Sequence, residues 1–272
     1  MNWLQALLLG LVQGLTEFLP VSSSGHLMIA RELLGVDSEG FLDFTVTVHL
    51  ATVLSTIIVF WKPICRLLAG LFKFKYNEET DYVFKLVVSM IPVALVGFLF
   101  KDKVEALFGD NLTTVAVCLV ITAALLLLSD FFGNGSGRRV VPEARNGISY
   151  LQAFLVGIGQ ACAVAPGLSR SGTTIATGLL TGVKRNVIAQ FSFLMVLVPI
   201  LGEQCLDILK AVTGEAVIGE GVGPVCLLAG FVAAFLAGLF ACKAMVALVK
   251  KAKLGWFALY CLIVAVLIFI FV

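Results

Sequence analysis

A chain of 272 residues that is 60% apolar and only 13% charged, with mean hydropathy +1.05, is excluded from the soluble globular domains. It reads instead as a polytopic helical membrane protein. Its net charge of +2 says little about partners, because in a bilayer the placement of charges outweighs their sum. Seven cysteines (65, 118, 162, 205, 226, 242, 261) show neither CxxC nor metal-ligand spacing and read as free thiols acting as small hydrophobes. The N-terminus has no basic n-region or cleavage site, so no removable signal peptide is expected.

Residues 2–19 are apolar and helical in pattern but stop at Pro20. Residues 24–35 form a second short segment that ends at Gly35. Each is too short for a hydrocarbon core of about 30 Å, which needs about 20 helical residues. They read as a re-entrant helix–loop–helix with its tip at Pro20–Gly25. A full span is expected over 41–60, closed by the interfacial anchor Phe60-Trp61. A basic loop follows over 61–80, then spans over 82–100 and 112–132. Residues 133–147, rich in Gly, Ser and Arg, are the clearest linker.

The pattern then repeats. A shift of 147 residues aligns Gln5 with Gln152, Gly10 with Gly157, Gln13 with Gln160, Ser22 with Ser169, Ser24 with Ser171, Gly25 with Gly172 and Gly35 with Gly182. Matches at Gln, Ser and Gly in one ungapped register imply a second re-entrant pair over 149–165 and 170–182. Spans over about 187–209, 222–247 and 254–272 complete the second half. The expected fold is all-α: one membrane domain with repeats 1–133 and 148–272 joined by 134–147, six full transmembrane helices and two re-entrant pairs. Three crossings per half force the repeats into opposite orientations, an inverted-topology repeat. Lys62, Arg66, Lys73, Lys75, Arg138, Arg139, Arg145, Lys184, Arg185, Lys250, Lys251 and Lys253 fall on one side; Arg31, Lys101, Lys103 and Lys210 fall on the other. The first side is expected to be cytoplasmic. Both termini and the first re-entrant pair then lie on the outer side.

Each loop is a polar break inside an apolar run, tolerated at membrane depth only where it lines a cavity or is buried in protein. In each, the second half-helix starts just after the Ser/Gly cluster. Its free N–H groups and positive dipole end point inward, as suits an anion such as phosphate. Arg170 wants a bidentate anion or a carboxylate, and Glu17 is the protein carboxylate at the same depth. Gln13 and Glu17 are four apart and share a helix face. Glu17 can serve as a base, hold a divalent cation with phosphate oxygens, or pair with Arg170. His26 can act as acid, base or nucleophile. Ser22, Ser23 and Ser24 offer hydroxyls, one of which could attack. Ser169, Ser171, Thr173 and Thr174 can donate to phosphate or cap the half-helix. His49, alone in an apolar span, reads as structural, and Glu203 and Asp207 as facing loop or headgroups. Gly10/Gly14 and Gly178/Gly182 read as small-residue pairs for close helix packing.

Gln-Gly-Leu-Thr-Glu-Phe-Leu-Pro-Val-Ser-Ser-Ser-Gly-His (13–26) and Pro-Gly-Leu-Ser-Arg-Ser-Gly-Thr-Thr (166–174) closely resemble the two signature motifs of the bacterial undecaprenyl-diphosphatase family, the bacitracin-resistance type. The resemblance implies a multi-pass phosphatase of the bacterial plasma membrane. Such an enzyme converts undecaprenyl diphosphate to undecaprenyl phosphate and inorganic phosphate, recycling the cell-wall lipid carrier. It implies a site that opens outward and a divalent cation, Mg²⁺ or Ca²⁺, near Glu17. By motif position Glu17, Ser23, His26 and Arg170 fall on the catalytic set, with Ser23 or His26 as nucleophile. Gln13, Ser22, Ser24, Gly25, Ser169, Ser171, Gly172, Thr173 and Thr174 are expected to bind the substrate. Gln13 stands where many members carry a second glutamate, and an amide cannot be a base. The expected partners are the lipid diphosphate and membrane lipid, with a homodimer as a further one and no nucleic acid. The other large family of membrane lipid phosphatases needs a histidine downstream of its Ser-Arg segment, and none follows here. A transporter or lipid flippase is the competing reading, because inverted repeats with broken helices are also built that way.

Overall fold

The computed structural model describes residues 1–37, 40–99, 111–133, 144–212, 222–251 and 253–271, without side chains at 42, 203–212, 250 and 251. All regular structure among them is helical. In chain order the helices are α1 (Trp3–Thr16), α2 (Ser23–Leu33), α3 (Phe41–Val59), α4 (Trp61–Leu71), α5 (Glu78–Leu99), α6 (Leu112–Phe132), a 3₁₀ turn (Arg145–Gly147), α7 (Tyr150–Cys162), α8 (Arg170–Leu180), α9 (Arg185–Val212), α10 (Pro224–Lys251) and α11 (Gly255–Phe271). The linker charges Arg138 and Arg139, the outer-side Lys101, Lys103 and Lys210, and the side chains of Glu203 and Asp207 lie outside the described residues.

Six full spans are not what the described residues deliver. Four helices (α5, α6, α9 and α10) are long and apolar enough to cross a bilayer, and α3 with α4 makes a fifth if a 74° bend is one broken span. Helix α11 is apolar throughout but has only 17 residues. The stretch 61–71, expected as loop, is helical. Ile64 and Leu67 pack toward the core while Lys62 and Arg66, four apart, share another face. The chain turns at Phe60 (φ −99°, ψ 18°), and α4 ends where Asn77 donates to the Gly70 carbonyl at 2.9 Å. These are features of a helix lying at an interface rather than of a loop.

The two short pairs match closely. Asn2 and Gln5 form a capping box at the start of α1, and Ser149 and Gln152 form one at the start of α7. Gln5 then reaches the Leu34 carbonyl at 3.0 Å, as Gln152 reaches that of Thr181 at 2.9 Å. These bonds tie each outgoing half-helix to the end of its returning partner. Helix α1 packs on α10, and α7 packs on α5. Both contacts depend on glycine: a Cβ on Gly10 would sit 2.3 Å from the Gly230 carbonyl oxygen, and one on Gly157 2.2 Å from that of Ser89. Gly10→Ala must therefore push α1 off α10. Overpacking of this kind costs about 1–3 kcal/mol, so thermal unfolding in detergent should begin several degrees lower, by roughly 2–4 °C per kcal/mol. Gly182 has a different role from the packing expected of it. Nothing lies within 4 Å of its missing Cβ, and its φ of +88° places it in the left-handed turn after α8.

Four of the thiols (Cys118, Cys226, Cys242 and Cys261) are buried and free, as small core residues, whereas Cys65 and Cys162 are exposed. At the start of α5 a charged knot joins the two halves. Lys85, 2% exposed, donates to Asp81 Oδ2 at 2.5 Å and to the Arg145 carbonyl at 2.6 Å. Tyr76 and Tyr150 both donate to Asp81 Oδ1, at 2.6 and 3.0 Å, and Asn146 donates to Oδ2 at 3.1 Å.

Candidate functional site

The two loops meet. Glu17, just past the last turn of α1, is the point on which both converge. Its Oε1 accepts from Arg170 Nη2 at 2.9 Å, and its Oε2 accepts from Ser23 Oγ at 2.6 Å and from Gln13 Nε2 at 2.8 Å. The Glu17 side chain is 10% exposed and that of Arg170 is 32% exposed. The pair is therefore mostly withdrawn from water, with the guanidinium on the open side. The loops are also stitched reciprocally. Ser24 Oγ accepts from the Gly167 N–H at 3.3 Å, and Ser171 Oγ donates to the Leu19 carbonyl at 3.0 Å. Ser24 and Ser171 are partners under the 147-residue shift, so the two cross-links are counterparts.

Local chemistry explains the shape. Ser22 caps α2, accepting from the Gly25 N–H at 3.2 Å, and Ser169 caps α8, accepting from the Gly172 N–H at 3.1 Å. Ser22 does this at φ 70°, ψ 97°, a conformation unusual for a residue with a Cβ. That strain is borne directly before Ser23, where strained backbone commonly serves a site. Gly25 and Gly172 leave room for close packing, because a Cβ on Gly25 would meet Val115 at 2.8 Å and one on Gly172 would meet Ser169 Oγ at 3.0 Å. Thr173 bonds back to the Ser169 carbonyl at 2.8 Å and is 3% exposed. Thr174 bonds to the Arg170 carbonyl at 2.9 Å and to Ser192 Oγ at 2.5 Å. Both threonines thus brace the loop that carries Arg170. The N–H groups of Ser24 and Ser171, in the first turns of α2 and α8, have no intrahelical acceptor and suit an anion.

His26 is held at both ring nitrogens. Nδ1 lies 2.7 Å from the Ser22 carbonyl, which makes it the protonated nitrogen, and Nε2 lies 2.8 Å from the Tyr260 hydroxyl. The two rings stack at 5.5 Å with 11° between planes. Tyr260 is absent from the sequence reading because it sits 234 positions away on α11 with no motif around it. Tyr260→Phe keeps the stack and removes one hydrogen bond. It should slow turnover by about tenfold, the worth of about 1.4 kcal/mol, with KM little changed; steady-state kinetics checks this.

His49, read as structural, is in fact beside the site. Its Nε2 is 3.7 Å from Glu17 Oε2, and its Nδ1 is 2.9 Å from the Thr45 carbonyl. The available signal was an ionisable side chain within an apolar span, which marks function more often than packing. Glu17 and Arg170 also line a cavity of about 30 Å³ together with Thr52, Thr56, Thr174 and Ser192. It has room for one or two waters.

Among the described residues no group of three His, Cys, Asp or Glu assembles. A cation at Glu17 would take that carboxylate, the Oε1 of Gln13 and oxygens of a bound phosphate. Gln13 is fully buried and its Oε1 has no partner, so one protein ligand is left over for such use. One carboxylate plus neutral oxygens and phosphate is a set that Mg²⁺ or Ca²⁺ accepts.

The family model described as bacitracin resistance protein BacA matches residues 6–267. A Bacteroides fragilis protein named undecaprenyl-diphosphatase is 53% identical over 266 residues, covering 98% of this chain and 97% of its own length. One of the same name from Bacteroides thetaiotaomicron is 52% identical, covering 99% of both chains. Another from Oceanobacillus iheyensis is 38% identical, covering 97% of this chain and 94% of its own. This multi-pass membrane protein belongs to the BacA bacitracin-resistance family.

Proposed function

We propose that this protein is an undecaprenyl-diphosphatase, hydrolysing the lipid diphosphate to undecaprenyl phosphate and inorganic phosphate, with Ser23 as nucleophile. The observation that carries the reading is the 2.6 Å bond from Ser23 Oγ to Glu17, in a site that Arg170 enters from the second loop. Glu17 takes the Ser23 proton as Oγ attacks the terminal phosphorus. The new Oγ–P bond forms as the bond to the bridging oxygen breaks, and undecaprenyl phosphate leaves. Arg170 and the first-turn N–H groups of α2 and α8 hold the equatorial oxygens where charge accumulates. Undecaprenyl phosphate departs as an anion and needs no proton, while His26, one turn after Ser23 and held at both ring nitrogens by Ser22 and Tyr260, keeps the nucleophile's loop in place. Water then attacks the phosphoserine as the bond to Ser23 Oγ breaks; Glu17 returns its proton to Oγ, and phosphate leaves with the water's oxygen and protons. A divalent cation held by Glu17 and Gln13 Oε1 would offset phosphoryl charge. The attack is assigned to Ser23 rather than His26 because both imidazole nitrogens are already engaged. A transporter has no use for the Ser23–Glu17 bond.

In this reading the halves are inverted repeats of three crossings each, supported by the matched capping boxes, the reciprocal Ser24 and Ser171 cross-links and the paired α1–α10 and α7–α5 contacts. The basic side, with Lys62, Arg66, Lys184 and Arg185, faces the cytoplasm; both termini lie outside and the site opens outward. The test is phosphate release from undecaprenyl diphosphate by the purified protein, with divalent cation and with chelator. Release that stops with chelator or in Ser23→Ala is expected. Folded wild-type protein that releases no phosphate would refute the proposal.

A further inference from the structure

A second cavity, of about 470 Å³, lies away from the two loops, between α4, the starts of α5 and α9, and the 3₁₀ turn. Tyr82 lines it. This residue is 8% exposed, and its ring packs edge-on against Phe191 at 5.7 Å. Its hydroxyl is buried and has no hydrogen-bond partner. A buried hydroxyl left unpaired is costly, and the residue that carries it lines a space large enough to hold what would pair it. Arg66 and Glu79 neutralise each other at 3.0 Å, so the charges that remain on the lining are Lys62, from α4, and Glu78, from α5. Amides of Asn146, Asn186 and Gln190 complete the polar lining, and Pro63, Leu67 and Val187 make part of it apolar.

We propose that this cavity binds a zwitterionic phospholipid headgroup carrying one phosphate and one primary ammonium, as in phosphatidylethanolamine. The phosphate meets Lys62 and accepts from the Tyr82 hydroxyl. The ammonium donates to Glu78 and to the amide oxygens of Asn186 and Gln190. A quaternary ammonium has no N–H to donate, and an anionic glycerol headgroup leaves Glu78 facing a like charge. A lipid is favoured over the free headgroup because part of the lining is apolar and one wall is an interfacial amphipathic helix. The site is separate from Glu17 and Arg170 and does not depend on the phosphatase reading.

Native mass spectrometry of the detergent-purified protein tests it. Phosphatidylethanolamine, phosphatidylglycerol and phosphatidylcholine of matched chains are added at equal concentration, and phosphoethanolamine alone in a separate sample. Phosphatidylethanolamine should be retained about tenfold over the other two, the value of one charge-assisted hydrogen bond. Tyr82→Phe, which keeps the ring packing, and Lys62→Ala, at an exposed position, should each lower retention of all three lipids, and Glu78→Gln should remove the preference. Phosphoethanolamine alone should not bind at the lipid concentration. Equal retention of the three lipids, preference for phosphatidylglycerol, unchanged retention in the Tyr82 and Lys62 variants, or equal binding of free phosphoethanolamine would each overturn the proposal.

Discussion

Arg170→Ala is expected to lower phosphate release by about 10²–10³-fold, as the loss of one preorganised oxyanion donor does. Two effects combine. The guanidinium no longer meets the charge that builds on the transferring phosphoryl group, and no other Lys or Arg among the described residues pairs with Glu17 in its stead. Glu17 also loses the partner that fixes its carboxylate while still 90% withdrawn from solvent, so the oxygen that takes the Ser23 proton is no longer held in place. Arg170→Lys should recover little, because an ammonium cannot reach Glu17 and a phosphate with the same planar fork. Folding should be spared, since Arg170 is the first residue of α8, with its side chain one-third exposed. Activity within about threefold of wild type would remove Arg170 from the mechanism, as changes of that size are under 1 kcal/mol.

The second large effect concerns stability. Lys85→Ala strands Asp81 in a site where its carboxylate is 4% exposed. Tyr76, Tyr150 and Asn146 still donate to it, but nothing balances its charge. Breaking a buried pair on one side costs about 3–5 kcal/mol. At about 2–4 °C per kcal/mol, the unfolding midpoint in detergent should fall by roughly 10 °C. Replacing both partners, Lys85→Met with Asp81→Leu, should recover much of the loss, since apolar substitutes for a buried pair are often neutral. If the double variant is no more stable than Lys85→Ala, the pair is not the unit that holds α5 to the 3₁₀ turn.

Much of the site was legible because its residues announce themselves against their background. Glu17, Ser23, His26 and Arg170 sit in polar breaks of apolar runs, and the 147-residue register places the breaks opposite one another. Helix ends were legible for the same reason: Pro20, Gly35, Gly167 and Gly182 interrupt the runs, and three of them adopt positive φ. What stayed hidden depends on tertiary approach. Tyr260 meets His26 from α11, Ser192 meets Thr174 from α9, and neither carries a local pattern. His49 looked like packing because its span is apolar, yet α3 delivers it to Glu17. The bend at Phe60 turns an apparent basic loop into a surface helix whose polar face could not be told from loop by composition.

The account stands on one claim, that the two loops form a single catalytic unit through Glu17. Phosphate release by Ser23→Ala, Arg170→Ala and the double variant measures it directly. If both act on one phosphoryl group, the losses are strongly non-additive and the double variant is scarcely slower than the worse single one. Losses that multiply, each intact in the background of the other, would mean that the loops work separately, and Glu17 would then be no more than their hinge.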